Sequence, residues 1–228
     1  MHILVDGLDM SGKTTTVQTL VSLLDGCGIP AVRHRGMLAE HHPIEPLLKR
    51  LPLVRQAESS AITAAFLVCG YALDAALVRV DPPRTDGAVL IQDGYADRTV
   101  AFGMAGGPYL TATLSLWGAR FFAPFDVAVY LHASPEVRRT RMEGREEVDS
   151  ADRRSVEDEA FAARFNAALL HGMAHRHGNR LLVFDTAEQR PEEIAKHVLA
   201  KAGLAFTVPA PRTAPVEENS AMAAGRTA

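Results

Sequence analysis

Residues 3–16 restrict this chain more than any other stretch, because the apolar run Ile3-Leu4-Val5 is followed at once by Gly7-Leu8-Asp9-Met10-Ser11-Gly12-Lys13-Thr14. The spacing G-x-x-x-x-G-K-[ST] is that of a phosphate-binding loop. Its two glycines let the backbone fold tightly and turn successive N–H groups toward phosphate oxygens. Lys13 adds a cation for the β- and γ-phosphates of a nucleotide and Thr14 a hydroxyl for Mg²⁺, while the helix opening at Lys13 points its positive end at the same anion. That helix is amphipathic through Val17, Leu20, Val21 and Leu24. A β-branched strand before the motif and a helix after it favour this reading over an ordinary glycine turn. Gly7, Asp9, Met10, Ser11, Gly12, Lys13, Thr14 and Thr15 are therefore the nucleotide-binding candidates.

With 228 residues, 47% hydrophobic and 22% charged, the chain can bury one sizeable core. A formal net charge of −3 and a pI near 6.3 argue against nucleic acid as a partner, whose footprint would be basic. Cys27 and Cys69 have neither disulfide nor zinc spacing, and buried free thiols are expected. Met1 leads into a strand with no basic and apolar leader, and no apolar run reaches the roughly 18 residues of a membrane span. The expectation is a cytoplasmic protein with no membrane partner.

Along the chain, Ala31–Arg35 is expected as a second strand ending in basic residues, followed over Gly36–Pro52 by a broken segment suited to move over a cleft. Within it, His41-His42 reads as solvent-exposed rather than metal-ligating. Gln56–Val80 has the pattern of one long core helix, through Ile62, Phe66, Cys69, Leu73 and Leu77. Ala88–Ile91 is a continuous apolar strand, and Asp93 follows its end, where ligands sit in parallel sheets. A carboxylate there can orient Mg²⁺, accept the proton of an attacking hydroxyl, or cap the next helix. Pro108–Phe122, with Trp117, is a further helix and Phe125–Leu131 a fourth strand. Ser134-Pro135-Glu136 starts a helix that runs into a charged stretch, in which Arg138, Arg141 and Arg145 fall on one face at i, i+3, i+7. Phosphate contact competes there with surface ion pairing, since Arg is the default cation of this chain: lysine occurs only at 13, 49, 196 and 201. Ser155–His175 is helical, Leu181–Asp185 a fifth strand and Pro191–Leu204 a last helix. From Thr207 onward Pro, Ala, Glu and Ser dominate, and a disordered tail is expected over 205–228.

Together these landmarks resemble the thymidylate kinase family of P-loop nucleotide kinases over about residues 2–203. The loop matches that family's G-x-D-x-x-G-K-[ST], Asp93-Gly94-Tyr95 stands where it has Asp-Arg-aromatic, and the arginine-rich 138–154 is similar to its LID. The resemblance implies an α/β P-loop kinase fold over 1–204, a five-stranded parallel sheet with helices on both faces. It also implies ATP as phosphoryl donor, Mg²⁺ as cofactor and a small-molecule acceptor such as a nucleoside monophosphate. Lys13, Asp93, Arg141 and Arg145 become the catalytic candidates, the two arginines because Met10 occupies a loop position that is arginine in some members. Thr14 and Asp93 are the metal candidates, and Asp9, Arg35, Phe66 and Tyr95 acceptor candidates. A homodimer is compatible with this reading.

The acceptor side departs from the family. Its Arg-Glu-Pro-Gly is here Arg33-His34-Arg35-Gly36, its base-reading arginine is Gly70, the arginine of Asp-Arg-aromatic is Gly94, and the glutamine of its Ala-Tyr-Gln is Gly103. A new arginine, Arg98, follows Gly94 by one helical turn and is a further acceptor candidate. Two rival readings are a kinase for a modified nucleotide or other small metabolite, and a nucleotide-binding switch or scaffold. The guanine-reading Asn-Lys-x-Asp that would favour a switch is absent from the sequence.

Overall fold

A computed structural model describes residues 1–51, 60–107, 114, 118, 121–145, 148 and 150–204. Strand β1 (His2–Gly7) lies at the centre of a parallel sheet, between β3 (Val89–Asp93) and β4 (Val127–His132). Outside them pair β2 (Ala31–His34) and β5 (Leu181–Asp185), giving the order β2-β3-β1-β4-β5. Val5 is in register with Asp93 and with Val129, so the carboxyl ends of the strands share one edge. Ligands collect at that edge in open α/β sheets.

The continuous apolar strands read as buried on both faces, and two cores result. Ile3, Val5, Ile91 and Val129 pack under α1 (Lys13–Gly26) and α9 (Pro191–Lys201) through Val17, Leu20, Ile194 and Val198. Leu4, Leu90, Ala128 and Tyr130 face the other way, onto α5 (Ala96–Gly106) and α8 (Glu159–His177), where Phe102, Phe161 and Phe165 stack edge-on. Alternate side chains of one strand thus serve opposite layers.

Four expectations need correction. The segment 36–51 is anchored: Met37, Leu38 and Leu48 are buried, and Glu45 starts the short helix α2 (Glu45–Leu48). The Asp74 carboxylate accepts from the Ala39 N–H at 2.8 Å, and Glu45 accepts from the Met37 N–H at 3.1 Å. His42 is not exposed but buried, its Nδ1 accepting from the Glu45 N–H and its Nε2 donating to the Gly70 carbonyl at 3.2 Å. That carbonyl lies in the middle of what was predicted as a single helix, which is divided into α3 (Ser60–Ala64), a π-helix over Ala65–Ala72 and α4 (Leu73–Leu77). Fourth, Cys69 is exposed and Cys27 half-buried, both as free thiols. No helix among the described residues is long and apolar enough to cross a membrane. Residues 52–59, Trp117, Glu146, Glu147, Asp149 and the 205–228 tail lie outside the described residues.

The charged stretch divides into α6 (Pro135–Glu143) and α7 (Ser150–Glu157). Pro135 takes the first turn of α6 and the Ser134 hydroxyl accepts from the Val137 N–H, as the sequence indicates. The helix stops at Glu143, so Arg145 lies beyond it. The helix expected over Ser155–His175 is divided, and Asp158 caps α8, accepting from the Phe161 N–H at 2.9 Å.

Candidate active site

The loop after β1 is built from backbone positions that few residues tolerate. A Cβ at Gly7 would collide with the Leu131 carbonyl and lie 2.7 Å from the Ser11 hydroxyl, and Gly12 is left-handed at φ 87° where α1 begins. Met10 is left-handed too, at φ 63°. Lys13 folds back over the loop, its Nζ donating to the carbonyls of Gly7 at 2.9 Å and Leu8 at 2.7 Å, with Asp9 3.7 Å away. Burial, with a smaller push from Arg98, lowers the Lys13 ammonium to about 8, against the raising influence of Asp9, Asp6 and Asp93.

Arg98 stands at the base of this loop rather than in an open acceptor site. Its guanidinium donates to the Gly7 carbonyl at 2.8 Å and to the Asp9 carboxylate, and lies over the Phe165 ring. Burial would raise the Asp9 carboxyl, but Arg98 and Lys13, with the Ser155 hydroxyl beside it, hold it well below the usual range. Asp6 takes the opposite course. It accepts from the Gly7 N–H at 2.8 Å, yet its Oδ2 is buried without a hydrogen bond, and burial pushes it up to about 6 against Arg98 and Lys13.

Two adjoining cavities open from the loop. One, of about 270 Å³, is mostly polar and is lined by Asp9, Met10, Gly12, Lys13, Thr14, Thr15, Arg35, Asp93 and Arg145. The other, of about 330 Å³, shares Met10, Gly12, Thr15 and Arg145 and continues past Arg141 to Thr186, Gln189, Pro191 and Ile194. A chain of phosphates fits the first, where N–H groups and cations converge. The second, with Pro191 and Ile194 in its wall, suits a flat apolar body with polar edges.

The three LID-side arginines separate. Arg141 reaches the loop, donating to the Met10 carbonyl at 3.0 Å, to the Thr186 hydroxyl at 2.9 Å and to the Thr186 carbonyl at 2.8 Å. Arg145 lines both cavities. Arg138, expected on the same phosphate-facing side, turns into the protein, is 2% exposed and donates to the Ser155 carbonyl at 2.7 Å. Asp93 closes β3 and does not cap α5, whose N-cap is Tyr95; it accepts instead from Arg33 at 2.5 Å.

The remaining acceptor candidates are dispersed. Tyr95 is 1% exposed, packs edge-on against Tyr71 and Phe125, and donates to the Asp74 carboxylate at 2.5 Å. Burial and the Asp74 charge push its phenol far up. Phe66 is half-buried on the π-helix and is not part of the polar cavity's wall. Two residues that spacing did not single out belong to the site. Arg33 pairs with Asp93; Thr186 follows the end of β5, and its hydroxyl lies 3.0 Å from the Ser11 carbonyl and 3.1 Å from that of His132. Their signal was position at a strand's carboxyl end.

Residues 5–198 match the thymidylate kinase family. The chain is 32% identical over 209 residues to the thymidylate kinase of Clavibacter michiganensis subsp. michiganensis, covering 89% of this chain and 94% of that one. It is 31% identical over 205 residues to that of Leifsonia xyli subsp. xyli, covering 87% and 92%. A solved thymidylate kinase structure from Candida albicans superposes with a TM-score of 0.63 at 15% identity, over 89% of this chain and 92% of that one, which shows a common fold.

Proposed function

The chain belongs to the thymidylate kinase family, and from that premise we propose that it transfers the γ-phosphoryl group of ATP to a nucleoside monophosphate using the residues gathered around its loop. The observation that carries the assignment of roles is the pair of adjoining cavities, one polar and cationic, one partly apolar, meeting at Met10, Gly12, Thr15 and Arg145. The first would hold the phosphates and the second the adenine.

Phosphoryl transfer needs little covalent help from the protein; it needs alignment and charge stabilisation. Lys13 would leave the Gly7 and Leu8 carbonyls for the phosphates, exchanging neutral acceptors for charged ones. Arg145 would add charge from the LID side of the cavity. Arg141 would hold the loop carbonyl of Met10 and the wall at Thr186 in place. Asp93 stands where an acceptor oxygen would approach, and Arg33 fixes that carboxylate.

Magnesium fits the donor set. The polar cavity offers the Thr14 hydroxyl and the Asp93 carboxylate, hard oxygens with no histidine or cysteine beside them. Among the described residues no cluster of His, Cys, Asp and Glu holds a metal alone, which suits an ion that arrives with phosphates. When bound, it would neutralise charge on the β- and γ-phosphates. The same reading takes the protein to be cytoplasmic and leaves room for a homodimer across the exposed apolar residues Val68 and Leu114.

ADP release measured with ATP, Mg²⁺ and a panel of nucleoside monophosphates tests the proposal. Turnover with at least one of them, abolished in Lys13→Ala, is expected. Turnover independent of any acceptor would mark a hydrolase and overturn it.

A further inference from the structure

Arg138 is a buried cation whose nearest acting counter-charge among the described residues, the Asp9 carboxylate, lies beyond ion-pair distance. It is 2% exposed, its one hydrogen bond runs from Nη1 to the Ser155 carbonyl at 2.7 Å, and its Nε has no partner. Among the described residues it makes no ion pair. A guanidinium removed from water and left unpaired is expensive, and such groups are normally neutralised by a carboxylate or by something bound.

Beside it lies a cavity of about 220 Å³, enclosed by α6, α7, α8 and the loop that follows β1. Leu8, Val156 and Ala162 give it an apolar wall, and Arg138 and Asn166 are polar groups within it. The carbonyl of Asn166 already accepts from the Tyr130 hydroxyl, which leaves its amide N–H groups to offer. Glu159, the carboxylate on the wall, is largely exposed and is drawn away to Arg139 at 3.3 Å. The cavity shares no residue with the two that open from the other side of the loop.

We propose that this cavity binds a small organic monocarboxylate, its charge on Arg138 and its short apolar chain against Leu8, Val156 and Ala162. The volume is below the roughly 300 Å³ at which sites for larger ligands begin, so a nucleotide does not fit. The apolar wall favours a carboxylate with a hydrocarbon part over a bare inorganic anion. Leu8 joins this cavity to the reaction: its side chain is part of the wall, and its carbonyl is one of the two that hold Lys13. An occupant would brace the loop from behind, in a place that ATP does not enter.

The test measures binding of butyrate, and of its uncharged counterpart butyramide, to the full chain by calorimetry. The proteins compared are wild type, Arg138→Met, Ala162→Leu and Lys13→Ala. Saturable binding of butyrate but not butyramide is expected, weakened about tenfold or more in Arg138→Met. Ala162→Leu keeps Arg138 and fills the cavity, so it should weaken binding as much, and it decides the matter if Arg138→Met does not fold. Lys13→Ala should bind butyrate as wild type does. No binding, equal binding of butyramide, undiminished binding in Ala162→Leu, or loss in Lys13→Ala, which would place the anion in the phosphate loop, each overturns the proposal.

Discussion

Arg141 and Met10 are joined across the site: a guanidinium on α6 donates at 3.0 Å to the carbonyl of a loop residue held at φ 63°. Non-glycine residues in that region are strained and persist where their surroundings fix them. Arg141→Ala should therefore loosen the loop as well as remove a charge, raising KM for ATP and lowering kcat/KM by about 10²-fold. Arg145→Ala should lower kcat more than it raises KM. Steady-state kinetics on both variants, varying ATP at saturating acceptor, separates them; identical profiles would contradict the division of labour.

Lys13→Ala should nearly abolish transfer while leaving the melting temperature within a few degrees of wild type. With its ammonium lowered to about 8, the charged form is lost from the free enzyme above that pH, so kcat/KM for ATP should fall with an apparent pKa near 8. Because the unfolded chain keeps this proton up to about 10.5, the group contributes rising stability between those two values. A flat kcat/KM profile from pH 7 to 9 would refute the perturbed lysine.

Asp6 carries the opposite linkage. Its carboxyl is raised from 3.8 to about 6, so the folded state holds a proton that the unfolded state has released, and stability falls as pH rises through that window. The effect should be on the order of 2–3 kcal/mol. Asp6→Asn should remove this slope. Urea unfolding of both proteins at intervals between pH 4 and 7 reads it directly, and parallel curves would show that Asp6 does not cause it.

Thymidylate itself should be a poor acceptor. A Cβ at Gly70 would lie 2.7 Å from the Met37 Cε and 3.1 Å from the Leu48 Cδ1, so two apolar side chains occupy the place of the family's base-reading arginine. The Arg98 guanidinium is engaged by the Asp9 carboxylate and the Gly7 carbonyl. A site lacking hydrogen-bond partners for a base discriminates weakly among bases. In the acceptor panel, thymidylate should show no preference of tenfold or more over other pyrimidine nucleoside monophosphates; a clear preference would mean that other residues read the base.

The sheet and loop were legible because both rest on local rules: glycine spacing, apolar runs bounded by turns, and Ser134 with Pro135 at a helix start. What was not legible depends on which way a long side chain turns. Arg138 and Arg141 share a helical face by periodicity, yet one is buried against Ser155 and the other crosses to Met10. His42 next to His41 gave no sign that one ring would be buried, since its partner, the Gly70 carbonyl, is 28 residues away on another element. Arg33 and Thr186 meet the site through pairings of distant strands, which spacing within one stretch cannot express.

The strand order has a consequence for how the protein is made. β1 precedes its sheet neighbours in the sequence: they enter its register at Leu90 and Val127, and the hydroxyl beside Ser11 belongs to Thr186. Until those residues are made both edges of the strand stay unpaired, a condition that invites association with other chains. The loop is thus made well before the wall it shares with Thr186, and a chain carrying the whole motif completes its second cavity only when its fifth strand docks.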